Sequence, residues 1–228
     1  MSNQQKLIFD IETIGVDFES LDKLSQEHIL GYAQTEEEIE KEKNRLALWP
    51  LTGEIVAVGV LNPDINKGAV YFQAPEEKIN PFEEQGISFE TGSEKEIIEK
   101  FWQVINDYQQ FISFNGRSFD APFLMIRSAI LGIRPTKNLL TNRYLSSQPY
   151  NVQHIDLFDQ LSFYGALQRK FSFHLWAKAF GIKSPKEDGL AGESVKEVFY
   201  QKKYLEIARY NLGDLIATKE LYEKWNKY

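Results

Sequence analysis

The chain has 228 residues, 43% of them hydrophobic, 26% charged and 14% aromatic, with a formal net charge of −7. That apolar and aromatic content excludes an intrinsically disordered chain and supplies enough side chains for one core of ordinary size. The absence of cysteine excludes disulfides, zinc–thiolate centres and thiol nucleophiles.

The start, MSNQQKLIFDIET, lacks a basic opening followed by a long apolar run and a small-residue cleavage site. No segment approaches the ~20 consecutive apolar residues of a membrane-spanning helix. The expectation is therefore one cytoplasmic domain over residues 1–228 with no membrane partner. Lys6–Glu12 reads as a buried strand, with Thr13-Ile14-Gly15 beginning its exit. Glu36–Leu48 is a Glu/Lys-rich helical stretch ended by Trp49-Pro50, because proline disfavours helix at the preceding residue. Glu54–Leu61 and Ala69–Gln73 read as the next two strands. Ser93 with Glu96 forms a capping box for a helix running to about Asp107. Phe111–Phe114 reads as a fourth strand, Phe119 to about Leu131 as a helix, and Val152–Ile155 as a fifth strand. Helices follow at about 157–164, 172–180, 193–200 and 203–226. Strands in succession, then strands alternating with helices, predict an α/β fold. Its sheet would be mixed and five- to six-stranded, an antiparallel meander joined by parallel strands and flanked by helices.

Three segments carry acids where acids are costly. Asp10 and Glu12 lie two apart in a strand that is otherwise apolar, so their carboxylates share one face and repel each other. A divalent cation removes that repulsion by serving both; a solvated strand end would also tolerate it. In Asn115-Gly116-Arg117-Ser118-Phe119-Asp120, Asp120 falls in the first turn of a predicted helix, where the macrodipole favours an acid whether or not it has a further role. Pro122 fits the same turn because no amide donor is needed there. In Tyr210-Asn211-Leu212-Gly213-Asp214, Tyr210 and Asp214 share a helical face that continues toward Leu221 and Trp225. Asp214 thus approaches the buried side, where a lone carboxylate is expensive, and Gly213 leaves room for another backbone to come close. Net acidity argues against a nucleic-acid partner, but the charge is uneven: Asn115–Lys186 holds ten Lys/Arg against three Asp, an excess of +7 that leaves −14 for the remainder. Such asymmetry can present a basic face to phosphates; solvated helix surfaces with a chance excess of lysine and arginine would give the same count.

Taken in order, Asp10-x-Glu12, Asn115-x-x-x-Phe119-Asp120 and Tyr210-x-x-x-Asp214 resemble the three motifs of the DEDD superfamily of 3′–5′ exonucleases. Tyrosine in the third motif is similar to the DEDDy branch, and in particular to predicted exonucleases related to the proofreading domain of family-B DNA polymerases. Trp49-Pro50 before Glu54–Gly59, Asp156–Leu161 and Phe180–Lys183 extend the resemblance to about residues 5–226, with Gln34–Leu48 the least familiar part. The resemblance implies a ribonuclease H-like fold. It also implies release of nucleoside 5′-monophosphates from the 3′ ends of single-stranded nucleic acid, DNA in preference to RNA. The metal-binding and catalytic residues it implies are Asp10, Glu12, Asp120 and Asp214, with Tyr210 catalytic.

Phosphodiester hydrolysis near neutrality needs an activated water and a neutralised leaving oxygen, which two divalent ions supply. A carboxylate cluster without cysteine selects Mg²⁺ or Mn²⁺. By the resemblance, Asp10 bridges both ions, Glu12 and Asp214 complete the site of the ion holding the attacking water, and Asp120 anchors the other. A phenol of pKa ~10 is a poor base at neutrality, so Tyr210 is expected to orient the water. Asn115, Phe119, Lys183 and Lys186 are candidate substrate contacts, although Phe114 and Phe119 also suit the core. His28, His154 and His174 are scattered and read as structural; Asp156 and Asp159 read as capping and solvating a helix, while their place near a strand end leaves a supporting role open. The motifs act on the phosphate and do not decide between DNA and an RNA-trimming activity. A silent nucleic-acid-binding scaffold on the same fold is opposed by the presence of all four acids and Tyr210.

Overall fold

The computed structural model describes residues 4–185 and 192–227. Seven strands form one mixed sheet: β1 (Lys6–Gly15), β2 (Gly53–Asn62), β3 (Lys67–Phe72), β4 (Phe82–Glu84), β5 (Ile87–Thr91), β6 (Gln110–Ser113) and β7 (Gln153–Asp156). Their spatial order is β4-β5-β3-β2-β1-β6-β7. The expected meander is present, since β2 pairs antiparallel with both β1 and β3, and β6 and β7 continue the sheet in parallel beyond β1. The sheet exceeds the expected five to six strands because the Glu83–Thr91 region, too polar to read as strand, folds as a hairpin. Its tip places Gln85 and Gly86 at positive φ, and its second arm adds β5 in parallel to β3.

Among the described residues the helices are α1 (Lys23–Leu30), α2 (Glu36–Asn44), α3 (Glu94–Val104), α4 (Asp120–Ile130), α5 (Leu157–Leu161), α6 (Phe173–Ala179), α7 (Val195–Tyr200) and α8 (Tyr204–Trp225). None of them is long and apolar enough to cross a membrane. The stretch expected as one helix over Glu36–Leu48 is α2 followed by a 3-10 turn, Arg45–Leu48.

Strand alternation divides β1 between two cores. Leu7, Phe9 and Ile11 meet Ile97, Phe101 and Trp102 of α3 and Phe123 and Leu124 of α4. Ile8 faces the other side, where Leu157, Leu161, Ile207, Leu215 and Leu221 come from α5 and α8. Asp10 and Glu12, in step with Ile8, therefore point at the layer that holds α8. The α3 capping box forms as expected: Ser93 Oγ accepts from the Glu96 N–H, and the Glu96 carboxylate accepts from the Ser93 N–H. The buried Glu94 next to it accepts from the Ile55 N–H at 2.8 Å and from Arg127 Nε and Nη2 at 2.8 and 2.6 Å. One carboxylate thus pins α3, α4 and β2 together.

Candidate active site

The site begins where two parallel strands part. β6 pairs with β1 only over Lys6–Ile8, so further along β1 the backbone on that edge has no strand partner. The Ile11 N–H, which lies between Asp10 and Glu12, donates instead to Asp120 Oδ1 at 3.0 Å. Asp120 is the first residue of α4 and is 3% exposed, so its carboxylate is fixed from the helix start onto the strand carrying the other two acids. β1 does not end at Glu12 as expected; a bulge between Glu12 and Thr13 carries it on to Gly15.

The connection from β6 to α4 is held by a residue whose function the sequence does not announce. Asn115 sits at φ 60°, a left-handed conformation that asparagine tolerates. The Asn115 and Arg117 N–H groups donate to Asp156 at 2.8 and 2.9 Å, and the same carboxylate caps α5 through the Phe158 N–H. Gly116 packs so closely that a Cβ there would meet Ser113 Oγ at 2.2 Å. Asp156 caps α5 as expected and also has the supporting role left open for it, but it and Asp159 are buried rather than solvated. Asp159 instead holds Arg143, with Nη2 to Oδ1 at 2.6 Å.

The third segment arrives on α8, which lies across β1 and β2. Asp10 is opposite Gly59 in the β1–β2 register. With no side chain at Gly59, the fully buried Asn211 fits over the strand and its Nδ2 donates to Asp10 Oδ2 at 2.8 Å. A Cβ at Gly59 would stand 2.0 Å from Asn211 Oδ1. Nothing in the strand pattern marks this contact; the cue is a glycine inside a buried strand, which signals close approach. Gly213 faces the Pro185 side chain, where an added Cβ would make an ordinary 3.4 Å contact, and among the described residues no backbone comes close to it.

One ligand oxygen from each of Asp10, Glu12 and Asp214 lies within 4.8 Å of the others. Asp120 stands beside this trio, in the same pocket of about 200 Å³. Tyr210 lines the pocket one turn before Asp214 and donates its phenol hydrogen to that carboxylate. Asn115, Phe114 and Phe119 also line the pocket; both phenylalanines are half-buried and packed on the cores from behind. A larger cavity of about 630 Å³ lies beyond Thr13 and Gly15 against α2, but none of the motif acids lines it.

Of the remaining candidates, Lys183 is exposed and does not line the pocket, although its neighbours Ser184 and Pro185 do; Lys186 lies outside the described residues. His154 is structural as expected, buried with Nε2 at 2.7 Å from Ser113 Oγ and Nδ1 at 3.1 Å from the Leu139 carbonyl. Burial pushes its pKa down to about 3. His174 was expected among the structural histidines and instead lines the acid pocket, its Nδ1 2.8 Å from Ser184 Oγ.

The electrostatics of the pocket are those of buried carboxylates crowded together. Desolvation first, then repulsion from Asp120, Asp214 and Glu12, raises the Asp10 pKa well above the ordinary carboxylate range. The Glu12 pKa rises for the same reasons. Burial brings Asp120 up to about 7 against the opposing pull of the Ile11 N–H. Burial, and then the Asp214 carboxylate, pushes the Tyr210 phenol far above its usual value, so it stays protonated. The group fits a hard divalent cation: the donors are all carboxylate oxygens.

A mixed sheet that opens a carboxylate pocket where its parallel strands diverge defines an α/β fold of the ribonuclease H-like kind. The family B DNA polymerase from the hyperthermophilic archaeon Pyrobaculum calidifontis shares this fold with a TM-score of 0.57, at 19% identity over 97% of this chain and 24% of the polymerase. The chain thus spans about a quarter of that polymerase's length. Residues 69–228 match the family described as "Predicted 3'-5' exonuclease related to the exonuclease domain of PolB", and the chain belongs to that family. No curated protein matches it.

Proposed function

We propose that this protein is a 3′–5′ exonuclease that uses two Mg²⁺ or Mn²⁺ ions to hydrolyse single-stranded nucleic acid, DNA in preference to RNA. The observation that carries the proposal is the convergence of Asp10, Glu12 and Asp214 within 4.8 Å, with Asp120 and Tyr210 in the same pocket. Family membership supports the reaction class.

Asp10, Glu12, Asp120 and Asp214 would hold the ions; bound there, they make a water nucleophilic near neutral pH and neutralise the departing oxygen. The chain's own residues do the positioning. The Ile11 N–H and the Asn211 amide fix the carboxylates of Asp120 and Asp10. Tyr210 keeps its proton rather than serving as the base; with ions on Asp214, the phenol hydrogen given to that carboxylate would turn to orient the attacking water or a phosphate oxygen. Phe114 and Phe119 offer ring faces to the terminal base, and Asn115 stands beside them to hydrogen-bond the terminal nucleotide. A new bond forms from water oxygen to phosphorus and the bond to the upstream 3′-oxygen breaks. A nucleoside 5′-monophosphate and a strand one residue shorter leave.

The test is digestion of 5′-labelled single strands with Mg²⁺ or Mn²⁺. The expected result is a ladder shortening from the 3′ end and abolished by a chelator. A folded protein that cuts nothing, or that releases nucleotides only from 5′ ends, would overturn the proposal. Matched RNA oligomers run alongside decide the sugar preference.

A further inference from the structure

We infer that α6 and the segment leading into it form a track that binds single-stranded nucleic acid outside the acid pocket; the inference rests on the nuclease reading above and extends its substrate footprint. One flank of α6 already belongs to the pocket, which Phe173 and His174 line. Its other flank borders a separate apolar groove of about 250 Å³, lined by Leu175, Trp176 and Ala179 together with Phe171. The two lie only about a helix diameter apart, ~10 Å.

Two features give this groove the chemistry of a strand-binding surface. The first is exposed apolar area: Leu175 is 51% exposed, and the Phe171 ring stands edge-on to Trp176 at 6.3 Å between centroids. The second is charge. From Gln160 to Phe173 the sequence has two basic residues, Arg169 and Lys170, and no Asp or Glu, in a chain whose formal charge is −7. Arg169 and Lys170 are both exposed, and the Arg169 guanidinium lies 5.1 Å from the centre of the Phe171 ring. A cation laid over an aromatic face beside an open apolar groove suits a polyanion whose bases stack, and suits neither a neutral protein surface nor a basic one. A strand whose 3′ end sits among the acids would cross α6 and place an upstream base on Phe171, with Arg169 and Lys170 at its phosphates.

The experiment measures binding separately from cleavage. Fluorescence anisotropy with a labelled dT12 strand, in Ca²⁺, compares the protein with Phe171→Ala and with the Arg169→Ala/Lys170→Ala double variant. The nitrophenyl ester of thymidine 5′-monophosphate, too short to cross α6 to the outer groove, reports the acid pocket alone. Phe171→Ala is expected to weaken dT12 binding roughly tenfold. The double variant is expected to lower the slope of log K against log salt by about 0.7 per lost phosphate contact. Ester hydrolysis should be unchanged in both. Unaltered dT12 affinity and salt slope in both variants would overturn the track and give the face to a protein partner; equal losses on dT12 and on the ester would overturn it as a folding defect. A wild type that binds dT12 through these residues yet hydrolyses neither substrate would uphold the track while refuting the nuclease reading.

Discussion

Replacing Gly59 by alanine should damage the acid pocket from a position that carries no chemistry. An alanine Cβ there would lie 2.0 Å from Asn211 Oδ1 and 2.6 Å from Leu215 Cδ1. Asn211 is fully buried and tied to Asp10, so its amide has no free space into which to swing. Overpacking of this kind costs about 1–3 kcal/mol, and two sub-van der Waals contacts place Gly59→Ala at the upper end. For a chain of this size that lowers the melting temperature by roughly 4–12 °C. Asn211→Ala alone removes one hydrogen bond to a carboxylate and leaves a small void, at a cost of about 1–3 kcal/mol. In the double variant the new methyl occupies the space the amide has left, so the two costs do not add. Thermal or urea unfolding of the four proteins should give a favourable coupling of at least ~1 kcal/mol. Additivity within ~0.5 kcal/mol would refute the claim that Asn211 reaches Asp10 over Gly59.

Asp10→Ala and Asp214→Ala should each abolish strand cleavage with the far-UV circular dichroism unchanged; full activity in either would place the chemistry elsewhere. Metal-free protein should lose stability as pH rises. The raised pKa values of Asp10, Glu12 and Asp120 mean that these groups favour the folded state at pH values below their unfolded values near 4. That contribution disappears as pH rises through the folded values, about 7 for Asp120. Melting curves from pH 4 to 8 should fall without metal and flatten with Mn²⁺, and a metal-independent profile would contradict the cluster. Glu94→Ala should cost about 3–5 kcal/mol in unfolding measurements, since it leaves the half-buried Arg127 with no carboxylate and only the Pro50 carbonyl to accept from it; a loss below ~1 kcal/mol would show the pin to be idle.

The strand and helix order was legible because most elements carry a plain period: β1 and β2 are nearly continuous apolar runs, and α3 opens on a capping box. The β4–β5 hairpin was not. Its strands are short, lie at the sheet edge and carry Glu83, Glu84 and Glu90, so no alternation announces them. The acids were visible because an acid in an apolar strand, at a helix start or on the buried side of a helix is each locally expensive. What supports them was hidden. Asn211 reaches Asp10 across 201 positions and depends on a missing side chain at Gly59, a relation between elements that no local pattern encodes. Asp156 reads as a helix cap with no more than an open supporting role because its two loop contacts, Asn115 and Arg117, lie about 40 residues upstream. His174 had no motif partner, and only the return of α6 against the pocket gives it one.

The most direct test is a crystal grown with Mn²⁺ and a nucleoside 5′-monophosphate, with manganese located by its anomalous scattering. Two peaks bonded to Asp10, Glu12, Asp120 and Asp214, with the nucleotide phosphate between them and its base against Phe114 or Phe119, are the predicted result. A pocket free of manganese while the nucleotide binds elsewhere would contradict it.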